Sequence, residues 1–196
     1  MNVGKLRERA FVLRLKGESD FRWEAERPIW VQATETGKRC LFSQFGVGKS
    51  GADFLMREGD ITMNDAILWR GQHYFISDIQ RTGLHPRYLT VSCARVTPEI
   101  AEHSRPVSTR GALGRPETER QRLGSCPVCL TEKYLRDSAE SSHLEQQKRL
   151  VAVAPKALRC EEGDILTILG EDWRVMVCHT LEAYKNEYEI ERVTDD

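Results

Sequence analysis

The chain has no apolar run that approaches the ~18 residues a membrane-crossing helix needs, which excludes a span of that kind. It has no G-x-S-x-G elbow and no H-E-x-x-H pair, and its 5 histidines are scattered, so no hydrolytic constellation is written in it and a non-enzymatic role is expected. Its single C-x-x-C, Cys126-Pro127-Val128-Cys129, lacks a second pair to complete four zinc ligands. The remaining Cys40, Cys93, Cys160 and Cys178, with His143 and His179, have no paired spacing, and no metal or other cofactor is expected. The opening Met1-Asn2-Val3-Gly4-Lys5-Leu6-Arg7-Glu8-Arg9 carries charge where a secretion signal carries its apolar stretch. An intracellularly made product with reduced thiols follows.

What the chain does have is a repeat. Gly71-Gln72-His73-Tyr74-Phe75-Ile76 leads through a polar turn to a strand ending Arg95-Val96; Gly170-Glu171-Asp172-Trp173-Arg174-Val175 leads to Arg192-Val193. The glycines stand 99 positions apart and the closing valines 97. A turn glycine supplies positive φ, and the aromatic three residues later covers the end of a small barrel. Gly71, Tyr74 and Ile76, and Gly170, Trp173 and Val175, are therefore the residues that define the repeated core. The fold class expected is mainly β: two small antiparallel barrels in tandem, joined by a linker containing proline and glycine, with short helix or loop insertions.

The boundaries follow from changes of composition. Residues 1–98 make the first module, with strands at Arg9-Ala10-Phe11-Val12-Leu13-Arg14-Leu15 and Ile29-Trp30-Val31-Gln32-Ala33, and further short strands in the ranges 66–69, 73–79 and 88–94. Residues 99–124 carry Pro106, Pro116, Gly111, Gly114 and Gly124 among few apolar anchors and read as a linker or arm. Residues 125–196 form a second, degenerate module whose stretch 131–148 is polar, part helix and part loop. Modules this small bury little core and gain from neighbours, so assembly is the natural supplement.

Charge is unevenly spread beneath a net value of −1. Residues 1–96 carry 15 basic and 11 acidic side chains, whereas residues 125–196 carry 9 and 15. Such polarity suits stacking between unlike surfaces better than a uniform nucleic-acid face. Gly46-Val47-Gly48-Lys49-Ser50 imitates the end of a phosphate-binding loop, but the pattern's first glycine is replaced by Ser43 and no long helix is expected to follow. A glycine-rich loop is the better reading, with nucleotide binding and a redox or zinc role for Cys126 and Cys129 kept as remote alternatives.

The opening segment running into a strand resembles tailed-bacteriophage head-closure proteins, also called stoppers or head-tail joining proteins. So do Asp65-Ala66-Ile67-Leu68-Trp69-Arg70-Gly71-Gln72-His73-Tyr74-Phe75-Ile76 and Arg87-Tyr88-Leu89-Thr90-Val91-Ser92-Cys93, which look like that family's closing hairpins. The second unit is similar in its latter half only, and the family is normally a single module. The resemblance implies a structural virion neck protein at the head-tail junction, assembled in the host cytoplasm, that closes the DNA channel and gives the tail its docking platform. Implied partners are further copies in a ring of roughly six or twelve, the portal or adaptor, the tail terminator or tail tube protein, and genomic DNA touched non-specifically, with no membrane. A channel loop at 43–52 follows by position, with Gly46, Gly48, Lys49 and Ser50 as its DNA-proximal residues and 131–147 as its counterpart. The N-terminal Lys5, Leu6, Arg7 and Arg9 are the candidate partner-docking residues. A tail terminator or another tail-associated barrel protein is the alternative.

Overall fold

The structure is a computed structural model that describes residues 6–37, 50–81, 87–110, 116–132, 150–180 and 185–194. Its twelve strands are β1 (Glu8–Lys16), β2 (Arg22–Thr36), β3 (Gly51–Arg57), β4 (Ala66–Trp69), β5 (Gln72–Arg81), β6 (Tyr88–Val96), β7 (Glu99–Arg110), β8 (Pro116–Glu132), β9 (Leu150–Ala154), β10 (Ile165–Ile168), β11 (Glu171–Thr180) and β12 (Asn186–Arg192). They close into two antiparallel barrels, in the order β1-β2-β3-β6-β5-β4 and β7-β8-β9-β12-β11-β10. Read strand for strand, the two orders are the same. The tandem barrels expected from the repeat are present, and the described residues contain no helix.

Residues 99–124 are not a linker. β7 and the opening half of β8 pair from Glu99↔Val128 out to Arg110↔Pro116, so the second barrel begins directly after Pro98. The prolines that suggested an irregular arm sit where strands tolerate them: Pro116 opens β8, and Pro106 lies on a stretch of β7 exposed to solvent. The sequence signal was a second offset. Glu8, Ala10 and Arg14 of β1 recur 91 positions later as Glu99, Ala101 and Arg105 of β7. The expected helix or loop at 131–148 falls mostly on residues outside those described.

The repeat extends to irregularities. β1 against β2 shifts register between Val12 and Leu13, and β7 against β8 shifts at the equivalent His103 and Ser104. β5 and β11 carry matching bulges at Ser77 and Met176. Bulges bend and twist a strand, so preserving them preserves the curvature that closes each barrel. Inside, the volumes trade places: the first barrel pairs Phe54 on β3 with Val91 on β6, and the second pairs Ala152 on β9 with Tyr188 on β12. In both pairs one large side chain meets one small one. The buried Tyr188 hydroxyl donates to the Leu158 carbonyl at 2.7 Å and accepts the Cys160 N–H at 3.2 Å, which satisfies it.

The β4–β5 and β10–β11 hairpins turn on two residues with positive φ, Arg70 (51°) with Gly71 (73°) and Leu169 (54°) with Gly170 (80°). That is the type I′ turn, whose twist matches the strands it joins. Leu169 is a poor choice for it, being unfavoured in the left-handed region and 71 % exposed. Leu169→Asn should stabilise the chain by about 0.5–1 kcal/mol, read as a higher urea midpoint, because asparagine adopts that conformation readily.

The barrels meet through outer faces. Phe75, Ala94 and Val96 of the first pack with Cys129, Val151 and Val153 of the second, and Trp23 meets Phe75 edge-on at 4.9 Å. This seam explains two runs that are not alternating in sequence, Tyr74-Phe75-Ile76 and Val151-Ala152-Val153-Ala154. Their strands are buried on both sides, by a barrel interior and by the neighbouring barrel.

Candidate docking surfaces

Each barrel has an aspartate at the mouth of its fourth strand. Asp65 and Asp164 are 99 positions apart and buried. Each accepts the backbone N–H three residues earlier, Thr62 at 2.7 Å and Glu161 at 2.8 Å, which closes a tight turn. Each also faces the equivalent arginine of the barrel's first strand. Arg105 grips Asp164 through Nε at 2.7 Å and Nη2 at 3.0 Å, while Arg14 lies 3.4 Å from Asp65. The environments diverge. Burial pushes the Asp164 carboxyl up, but the Arg105 hydrogen bonds, the Glu161 N–H and His103 outweigh it and hold it below the usual range. For Asp65 burial wins over Thr62 and Arg14, and its carboxyl is raised.

Among the described residues, one group gathers enough donors to suggest a metal: His103, Cys160 and Asp164, with ligand atoms within 4.8 Å of one another. The donor chemistry is against it. Both Asp164 oxygens are already held by a guanidinium, and His103 Nε2 lies 2.7 Å from one of them. Burial also keeps the Cys160 thiol protonated. In the first barrel the corresponding positions are Val12 and Ile61, so what repeats is the Arg–Asp latch and not the donor set. The latch is a fold element.

The two motifs that mimic chemistry are divided by the strands. Cys126 points into the second barrel and Cys129 into the seam, because residues three apart on a strand face opposite sides. Burial pushes their thiols to about 12 and about 11. Of the phosphate-loop mimic, Gly46, Gly48 and Lys49 lie outside the described residues. Ser50 is described, its carbonyl accepting the Arg95 N–H at 2.9 Å, and the chain then runs directly into β3. A strand stands where a phosphate loop requires a helix. The alternation Ala52, Phe54, Met56 carried that strand's signal.

Two long hairpins build the remaining exposed surfaces. β1–β2 extends past its barrel, and its tip lies on β8: Ser125 N–H donates to the Ser19 carbonyl at 3.0 Å and Phe21 N–H to the Ser125 carbonyl at 2.7 Å. Asp20 accepts from Arg122 at 2.6 Å and from the Ser125 hydroxyl at 2.9 Å, and its carboxyl is lowered by those bonds. β8 has an edge to offer there because its pairing with β9 begins only at Cys129. The second barrel returns the contact at another point. Lys156 N–H donates to the Asn64 side chain at 3.0 Å, and the Lys185 amine, 1 % exposed, donates to the Met63 carbonyl and sits 5.4 Å over the Phe75 ring. Burial drives that amine down to about 8.

β2 has the same unpaired stretch, since its pairing with β3 begins at Val31. There the surface opens into a cleft of about 510 Å³ lined by Leu6, Arg27, Pro28, Trp30 and Arg57, with the Trp30 side chain 61 % exposed. Comparison with family models, curated proteins and solved structures finds no match.

Of the N-terminal residues singled out by sequence, Leu6 lines the cleft, Arg7 is exposed, and Arg9 is exposed with its guanidinium 5.5 Å from the Phe11 ring centroid. Lys5 lies outside the described residues. Tyr74 and Ile76, and Trp173 and Val175, are buried in their barrels, and Gly71 and Gly170 form the turns. Sequence reasoning named Trp30 only as part of a strand. An exposed tryptophan is legible as such only when the strand's inward set is known, here Ile29 and Val31 beside it.

Proposed function

We propose that this chain is a structural neck protein of a tailed phage: a ring component beneath the portal or adaptor that closes the DNA channel and receives the tail. One observation carries the reading. The stretches that resemble head-closure proteins fall on consecutive strands of a single closed barrel, with 65–76 forming the β4–β5 hairpin and 87–93 forming β6. The wall those stretches build is completed by β1, which the resembling N-terminus feeds. Small barrels held together by long hairpins, with an exposed aromatic cleft and a skewed charge, suit a part made to be stacked between others. The role is non-enzymatic, its partners being further copies, the portal or adaptor, a tail terminator or tail tube protein, and the packaged DNA. Gold-labelled chain should be found at the head-tail junction by negative-stain microscopy, and particles assembled without it should lose DNA and fail to take tails. A label confined to the tail would replace the neck role with that of a tail-associated barrel protein, and tailed, DNA-filled particles lacking the chain would end the proposal.

A further inference from the structure

The hairpin that links the two barrels has an unused twin. β7–β8 occupies in the second barrel the place of β1–β2 in the first, and it is longer: the β1–β2 pairing ends at Lys16↔Arg22, whose counterpart is Val107↔Glu119, whereas β7–β8 continues to Arg110↔Pro116. Three further rungs reach ~10 Å beyond the point where the first hairpin turns. Pro106, Val107, Ser108 and Arg110 on one strand and residues 117–122 on the other are exposed. A two-stranded ribbon wet on both faces is marginal in water unless something covers it.

The chain itself shows what covers such a hairpin, since the tip of β1–β2 adds to the edge of β8 at Gly124 and Ser125. The residues of β2 that correspond to Gly124, Ser125, Cys126 and Pro127 are Arg27, Pro28, Ile29 and Trp30, because Arg27 and Gly124 stand opposite the equivalent Val12 and His103. These are the residues of the aromatic cleft. We infer that the β7–β8 ribbon of one copy seats in the Trp30 cleft of a second copy, so that the relation joining the two barrels within a chain is carried on between chains. This rests on the neck reading only in supplying the contact by which a ring would close.

Charge and shape agree with that occupant. Glu117 and Glu119 share one face of the ribbon, with Val107 directly across from Glu119, while Arg120 and Arg122 on the other face are paired with Asp172 and Asp20; the cleft presents Arg27 and Arg57, with Glu58 beside them, around an indole and Leu6. The two sockets are also distinct. Gly124 leaves room for the Ser19 carbonyl and Ser125 supplies an N–H to it; Arg27 brings a side chain and Pro28 has no N–H to give. The short hairpin therefore fits only β8, and the cleft on β2 must be held through side chains by a ribbon long enough to lie across it. A contact of this kind joins unlike surfaces, and such contacts close into rings when the rotation permits.

The full chain should self-associate in sedimentation velocity with increasing concentration. Trp30→Ala, which removes an exposed side chain, should weaken association about thirtyfold, the scale of a lost tryptophan anchor. Reversing charge by Glu117→Arg with Glu119→Arg, or by Arg27→Glu with Arg57→Glu, should weaken it about tenfold each, and combining the two reversals should restore it. Unchanged thermal midpoints check that each variant folds. A wild-type chain that stays monomeric at the highest soluble concentration, variants that associate as tightly as wild type, or combined reversals that fail to recover would each overturn this interface. None of these bears on the neck reading, which the labelled particles decide, and a chain located elsewhere on the virion would leave the interface intact.

Discussion

Asp164→Asn should destabilise the second barrel by about 2–3 kcal/mol, while Asp65→Asn in the first costs under about 1 kcal/mol. Both aspartates are buried, cap a turn and face an arginine, so the shared motif alone predicts similar effects. The difference lies in which force prevails. At Asp164 the two-pronged Arg105 contact and His103 outweigh burial, so an amide leaves a guanidinium facing a neutral group in a half-dry site. The Arg105 side chain is 34 % exposed and water can partly replace the lost charge, which puts the effect at the low end for a broken buried pair. At Asp65 burial already disfavours the charged form and one oxygen accepts no hydrogen bond, so neutralising it relieves a penalty. Against the usual 5–15 kcal/mol of a folded domain the first loss is large. Hydrogen exchange of β10 and β12 amides should quicken in Asp164→Asn while β4 and β6 hold. The two carboxyls also titrate in opposite senses. The lowered group at Asp164 contributes stability that is present above the ordinary value of 3.8 and is lost as pH falls through the folded one. The raised group at Asp65 takes up its proton earlier in the folded chain, so acidification toward 3.8 favours folding at that site. Acid unfolding curves of the two variants should shift accordingly, Asp164→Asn losing the steep part of the wild-type decline. Equal losses from both substitutions would show that the turns, and not the ion pairs, carry the effect.

The barrels were legible wherever turn and core residues repeat together. Gly71 with Tyr74 and Gly170 with Trp173 mark hairpins whose glycine φ and aromatic burial leave few substitutes, so the same residue types stand at both. The first strand of the second barrel was not legible, because β7 buries only Ala101 and His103 along its length and spends the rest in solvent. A strand with so thin a core face has no period-2 signal to show, and its prolines and polar residues look like an arm. The same physics hid the exposed cleft at Trp30. Trp30 interrupts no pattern, since an outward tryptophan beside inward Ile29 and Val31 reads as ordinary strand composition. The Arg–Asp latch was hidden for a different reason: its partners lie 51 and 59 residues apart, and nothing local links Arg14 to Asp65 or Arg105 to Asp164.

Gly124→Ala should cost about 3–5 kcal/mol and loosen the grip of one barrel on the other. Gly124 has φ of +151° beside the β8 bulge, and a Cβ added there would stand 2.1 Å from the Ser19 carbonyl oxygen. That oxygen is backbone and cannot swing aside as a side chain would. The hairpin must lift, which breaks the Ser125-to-Ser19 and Phe21-to-Ser125 hydrogen bonds and pulls Asp20 from Arg122; strain of about 1–3 kcal/mol and about 1 kcal/mol for each backbone bond give the estimate. Gly71→Ala is the matched control, for its φ is +73° and no atom lies within 4 Å of the added carbon, leaving only the conformational cost of about 1–2 kcal/mol. The two variants should differ in kind as well as size. Gly71→Ala weakens a hairpin inside one barrel, whereas Gly124→Ala frees the 17–21 tip, which should become sensitive to limited proteolysis while both barrel interiors keep their exchange protection. The apolar seam at Phe75, Ala94, Val151 and Val153 remains to hold the barrels together, so the loss falls on orientation more than on contact. Orientation is what an assembly of stacked barrels depends on. If the ribbon-to-cleft contact repeats between chains the relation fixed by Gly124 within them, this one methyl group should weaken self-association as well as stability, although it lies in neither of the surfaces that meet.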